Sequence, residues 1–114
     1  MDKPIEIIAL PQAEEFLDSL EEPVRKKFFH SMRKTKERII GDWFKKMIGT
    51  DGIYEFRVDN NGKFYRLFAF WDSRGSKQTL IVATHGLIKK SNKTPKSDID
   101  KAEELKNKYF KGLI

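Results

Sequence analysis

The chain has 114 residues, 12% aromatic and 39% hydrophobic, which suits one domain over residues 1–114 with a real core and excludes a disordered polymer. It contains no cysteine, which excludes a disulfide scaffold and cysteine metal sites and fits a reducing compartment. The net charge of +6 is uneven, −6 over residues 1–22 and +12 over residues 23–114, and so polarised a basic body predicts a polyanionic partner. The plainer alternative is a set of lysine-rich solvated helices. No basic segment followed by an apolar one opens the sequence. No apolar run reaches the roughly 18–20 residues of a membrane span, so a cytoplasmic protein without membrane contact is expected.

Residues 5–10 form a short, partly β-branched apolar run, read as a first strand. Pro11 suits the first position of a helix, and Ala13, Phe16, Leu17 and Leu20 follow at the spacing of one buried helical face. Pro23 breaks the chain before a second helix over residues 24–40, with Val24, Phe28, Met32, Thr35 and Ile39 as its apolar stripe and Phe29 and Ile40 beside it. Arg25, Lys26, Lys27, Arg33, Lys34, Lys36 and Arg38 occupy the rest of that helix, and Gly41 is placed to end it. The two helices predict an antiparallel αα-hairpin packed on a sheet.

A β-hairpin follows. Residues 53–59 and 63–71 alternate in character around Asn61-Gly62, a pair suited to the positive φ angles of a type I′ turn. Residues whose numbers sum to 123 then face each other, so Arg57 meets Arg66. Both arginines lie opposite the apolar face made by Tyr54, Phe56, Val58, Tyr65, Leu67, Ala69 and Trp71. Like charges directly opposite cost roughly 0.2–1 kcal/mol, and an anion is the natural offset. Residues 77–85 supply a third strand, residues 86–96 a basic connector without an acid, and a final helix begins near Ser97 or Asp98.

The expected fold is α+β, with about four strands in a small antiparallel-dominated sheet, the αα-hairpin on one face and a C-terminal helix. The opposite sheet face would carry Glu55, Arg57, Phe64, Arg66, Phe68 and Phe70. Basic groups interleaved with aromatics on an open sheet suit phosphate contact and base stacking. Lys63, Phe68, Lys93 and Lys96 are the candidate RNA contacts around that face.

Three ordered stretches carry a family resemblance: residues 49–58, the Tyr65-Arg66-Leu67-Phe68 strand, and residues 85–95 followed by Asp98-Ile99-Asp100-Lys101-Ala102. Together they resemble the HigB-like, phage-related branch of the RelE/ParE toxin superfamily. The resemblance implies a RelE-like fold and the toxin of a type II toxin–antitoxin pair. Such a toxin cleaves mRNA on the ribosome and is silenced by a cognate antitoxin of the HigA-like helix-turn-helix kind. It also implies that Arg66 contacts the scissile phosphate, that Arg57 supplies a second positive charge, and that Lys89, Lys90 and Lys93 lie in the basic segment after the next strand. Glu55 departs from the pattern, because that strand position is basic in RelE. Tyr109 lies too far into the final helix to be the family's late tyrosine.

Metal-independent RNA cleavage uses the neighbouring 2′-OH as nucleophile. It needs a base for that proton, an acid for the departing 5′-oxygen, and positive charge on the phosphorane. Arg57 and Arg66 suit the last role. His85 is the first candidate for proton transfer, with Lys89 or Lys90 as substitutes if neighbouring charge lowers their pKa. No cofactor or metal is called for, since Glu55 with Asp51 or Asp59 makes no credible metal site. Two other readings remain: a ParE-like inhibitor that binds DNA gyrase without cleaving, and a non-catalytic RNA-binding relative. The converging Arg57, Arg66, Lys89 and Lys90 favour the ribonuclease.

Overall fold

The computed structural model describes residues 3–91 and 93–114, so Asn92 of the expected basic connector lies outside the described residues. In chain order the elements are Ile5–Ala9 (β1), Pro11–Ser19 (α1), Glu22–Lys36 (α2), Phe44–Lys46 (β2), Tyr54–Asn60 (β3), Lys63–Asp72 (β4), Thr79–Lys89 (β5) and Lys96–Phe110 (α3). They form an α+β fold with three helices and a five-stranded sheet in the order β1-β5-β4-β3-β2. The sheet exceeds expectation by β2, whose three residues are too few for an alternation to show in sequence. It is also mixed, because β1 runs parallel to β5 while the other pairings are antiparallel.

Pro11 opens α1 where a missing N–H costs nothing, and Glu14 stands in its first turn, where a carboxylate meets the positive end of the helix dipole. Pro23 plays the same part in α2. That helix stops at Lys36 rather than near Ile40. Arg38 adopts a left-handed φ of 64°, Ile39 N–H donates to the Lys34 carbonyl at 3.0 Å, and Arg38 N–H donates to the Thr35 carbonyl at 3.0 Å. This is a Schellman closure with arginine in the position glycine usually takes. Val24, Phe28, Met32 and Thr35 are therefore buried, whereas Ile39 lies beyond the helix and is exposed, as are Phe29 and Ile40.

The helices α1 and α2 cover the sheet face that carries Phe56, Val58, Tyr65, Leu67, Ala69, Ile81 and Ala83. The third helix packs on the opposite face, where Ala102, Tyr109 and Phe110 join Phe68, Phe70 and Val82. That face is thus not open along its length. Phe68 and Phe70 are fully buried, and Phe68 cannot serve as the expected RNA-stacking ring. The physical reason is burial: each such ring taken from water stabilises by about 1.5–3 kcal/mol, and the apolar stripe of α3 needs an apolar floor.

Between β4 and β5 the register slips from Leu67 opposite Gly86 to Ala69 opposite Ala83, a bulge at Thr84 and His85. Gly86 follows, and the Phe16 ring occupies the space a Cβ would take there. The strand continues to Lys89, so the first part of the expected connector is strand, and α3 begins at Lys96, ahead of the expected start.

Candidate functional site

Asn61 and Gly62 adopt positive φ angles of 50° and 76°, the backbone that a two-residue type I′ loop requires. This turn sets the β3–β4 register, and Arg57 lies opposite Arg66 as the alternation predicts. On the same face Glu55 lies opposite Phe68 and Asp59 opposite Phe64. The ladder therefore leads from the Phe68 ring under α3, through the arginine pair, to the hairpin rim.

The charges on this ladder interleave. Glu55 Oε1 lies 3.5 Å from Arg57 Nε and 4.0 Å from Arg66 Nε. Arg66 Nη1 donates to Asp59 Oδ1 at 2.8 Å and to the Tyr65 carbonyl at 2.9 Å, and its guanidinium stands 5.5 Å from the centre of the Phe64 ring. Two carboxylates of the chain itself thus offset the cross-strand repulsion, a role the sequence reading gave to an external anion. The match is incomplete: among the described residues, Arg57 Nε and Glu55 Oε2 are buried atoms without a hydrogen-bond partner. Arg66 has only 1% of its side chain exposed, against 26% for Arg57.

Lys89 joins this cluster from β5, where it pairs with Phe64. It is buried, and its Nζ donates to Thr94 Oγ1 at 2.6 Å. Burial lowers its pKa, as do Arg66 and Arg57, while Glu55 and Asp59 oppose them. A lysine so placed releases a proton more readily than one in water. A cleft of about 340 Å³, bordered by Asp42, Trp43, Arg57 and Asp59, opens beside the cluster.

His85 is placed elsewhere. Its Nε2 is 3.2 Å from Asp98 Oδ1, its Nδ1 is 3.1 Å from Thr84 Oγ1, and its ring packs 4.9 Å from that of Phe68. Burial pushes its pKa down, and the Asp98 contact offsets this only in part. The cleft it borders, about 330 Å³ and shared with Gln12, Glu15, Phe16, Ser19, Asp98 and Lys101, includes neither arginine. The structure therefore uses His85 to tie the start of α3 to the sheet, apart from the Arg57–Arg66 pair.

Among the other candidates, Lys63 is exposed at the hairpin turn, Lys90 just beyond β5, and Lys93 in the connector. Lys96 is exposed and pairs with Asp100 at 3.0 Å. The sequence reading did not assign Thr94 to Lys89 or Asp98 to His85. Nor did it assign Asp59 to Arg66, although the register sets the two diagonally across from each other.

Residues 15–107 match the model of a family described as phage derived protein Gp49-like (DUF891). The chain belongs to the Gp49-like family. This is a RelE/HigB-like toxin family associated with toxin–antitoxin systems, which points to an antitoxin as partner. No curated protein matches the chain. The region shared with the Gp49-like family runs from within α1 into α3 and includes Glu55, Arg57, Asp59, Arg66 and Lys89. Among the described residues no helix is long and apolar enough to cross a membrane, and no group of three or more histidines, aspartates or glutamates is placed to hold a metal ion.

Proposed function

We propose that this Gp49-like chain is the toxin of a type II toxin–antitoxin pair in the HigB branch, with a RelE-like fold, acting in the cytoplasm as a ribosome-dependent mRNA endoribonuclease. The observation that carries this reading is the Glu55–Arg57–Arg66 cluster with Lys89 beside it and an open cleft at Arg57 and Asp59. Two guanidiniums within reach of one point suit a phosphodiester whose charge grows in the transition state. A gyrase inhibitor acting by protein contact has no use for that arrangement.

In the proposed reaction Glu55 accepts the proton of the 2′-OH, and the 2′-oxygen attacks the adjacent phosphorus. Arg57 and Arg66 hold the non-bridging oxygens. The bond from phosphorus to the 5′-oxygen breaks, and the Lys89 ammonium gives that oxygen its proton. The products are a 2′,3′-cyclic phosphate and a 5′-hydroxyl. Proton transfer thus moves from His85, the first candidate in sequence, to the two groups that share the arginine cluster. The ribosome supplies a preoriented mRNA, and a HigA-like helix-turn-helix antitoxin silences the toxin.

Primer extension on cellular mRNA after induced expression tests this reading, with Arg66→Lys as control and end-group analysis of the fragments. Discrete cleavages ending in 2′,3′-cyclic phosphate, strongly reduced in the variant, are expected. Intact mRNA with accumulating gyrase-linked DNA breaks would overturn it in favour of the ParE-like reading. Neither effect would leave a non-catalytic RNA binder.

A further inference from the structure

We propose that Asp59 occupies the phosphate seat on Arg66, so that substrate binds by displacing one anion with another. The proposal rests on the arginine pair being the phosphate site. It begins from a contrast in exposure. The Arg66 side chain is 1% exposed, whereas Asp59, which accepts from its Nη1 at 2.8 Å, is 61% exposed. The buried cation and the solvent-facing carboxylate are thus in direct contact, and Asp59 also borders the cleft that opens beside Arg57.

Glu55 is a different kind of counter-ion. Its side chain is 13% exposed and lies between both guanidiniums, so its removal leaves one buried and one half-buried charge poorly matched. Asp59 holds Arg66 through its Oδ1, and its backbone is fixed in the β3–β4 ladder opposite Phe64. Exchange therefore needs rotation of one short side chain and no change in the sheet. Ion pairs with an exposed partner are weak, while a phosphate that engages Arg57 and Arg66 together gains charge-assisted bonds to both. An anion able to reach Arg66 alone meets Asp59 on equal terms and gains nothing. Asp59 in this way selects for a phosphodiester seated across the pair and keeps small anions out.

The test compares Asp59→Asn with Asp18→Asn, a substitution of equal charge at an exposed position of α1. The probe is a fluorescent single-stranded RNA with 2′-O-methyl riboses, which binds without being cleaved, titrated at several salt concentrations. Asp59→Asn is expected to tighten binding about three- to tenfold, because the phosphate then reaches Arg66 without displacing a carboxylate. Asp18→Asn should do much less, and the gain from Asp59→Asn should vanish in an Arg66→Ala background. Asp59→Ser serves as a second variant should the asparagine protein fold poorly. Unchanged or weaker binding, or a gain that persists without Arg66, overturns the proposal. If Arg66→Ala alone weakens binding while Asp59→Asn does nothing, only the displacement idea falls. If Arg66→Ala leaves binding intact, the phosphate site falls with it.

Discussion

Arg66 is the most voluminous of the fully buried side chains, ahead of Phe28 and Phe56. A guanidinium in that position is tolerated only where carboxylates and carbonyls meet its donors, and breaking such a pair from one side costs roughly 3–5 kcal/mol. Arg66→Ala therefore confounds stability with chemistry, and Arg66→Lys separates them. Lysine keeps the charge but loses the planar fork, so the variant should remain folded while cleavage of ribosome-bound mRNA falls about a hundredfold. Urea denaturation alongside a cleavage time course checks both halves, and a fully active lysine variant would remove Arg66 from the reaction. The Arg57–Arg66 pairing was legible because Asn61-Gly62 sets the register and the alternation sets the face. The partner of Arg66 was not, since a register locates backbones and leaves open which of two nearby carboxylates a side chain reaches. The position of His85 was not legible for a related reason. His85 and Lys89 both come from β5, but the bulge at Thr84 and His85 and the contact with Asp98 carry the histidine away from the arginines.

At the scale of elements, α3 decides which part of the sheet stays available. The spacing of Ile99, Ala102, Leu105, Tyr109 and Phe110 marks a helix that buries one side, but nothing local in the sequence places it over Phe68 and Phe70. The parallel pairing of β1 with β5 was equally invisible, because it joins segments from opposite ends of the chain. Two titratable contacts hold α3 in place. At its start, His85 meets Asp98; near its end, Tyr109 donates to Asp72 Oδ2 at 2.7 Å. The bidentate Arg74 contact, against the opposing effect of burial, holds the Asp72 carboxyl at about 2, with Tyr109 helping. Its folded pKa is below the unfolded value, so its stabilisation is complete above about pH 4 and is lost as pH falls toward 2. Because Arg74 is exposed, this loss amounts to about 1–2 kcal/mol. His85 is also depressed, through burial, so its contribution is complete above the ordinary value of about 6.5 and declines as pH falls through the lower folded value. Denaturation midpoints measured from pH 8 to pH 2 should therefore show two acid-side losses. His85→Gln should abolish the first and Asp72→Asn the second. A single transition unaffected by either variant would show that protonation of neither group is linked to folding.

At the scale of the whole molecule, the charge polarity read from the sequence acquires a direction. The basic helix α2 packs on the sheet face opposite the arginine cluster. Two contacts join them at one rim. Lys27 Nζ donates to Asn60 Oδ1 at 2.9 Å beside the hairpin turn, and Lys34 Nζ lies 3.6 Å from the ring centre of Trp43, which borders the cleft at Arg57. An RNA strand entering past Trp43 would meet the α2 cations before the scissile phosphate reached the arginines. These lysines should then govern capture and leave the chemical step alone. Replacing Lys27 and Lys34 with glutamine removes two charges that touch no reacting atom. The double variant should bind single-stranded RNA more weakly for every sequence, with the salt dependence shallower by roughly 1.4, about 0.7 for each lost phosphate contact. Its cleavage rate at saturating ribosome concentration should match that of the unaltered protein. A reduced saturated rate with an unchanged salt slope would place these lysines in positioning, and the basic face of α2 would then be part of the site and not its approach.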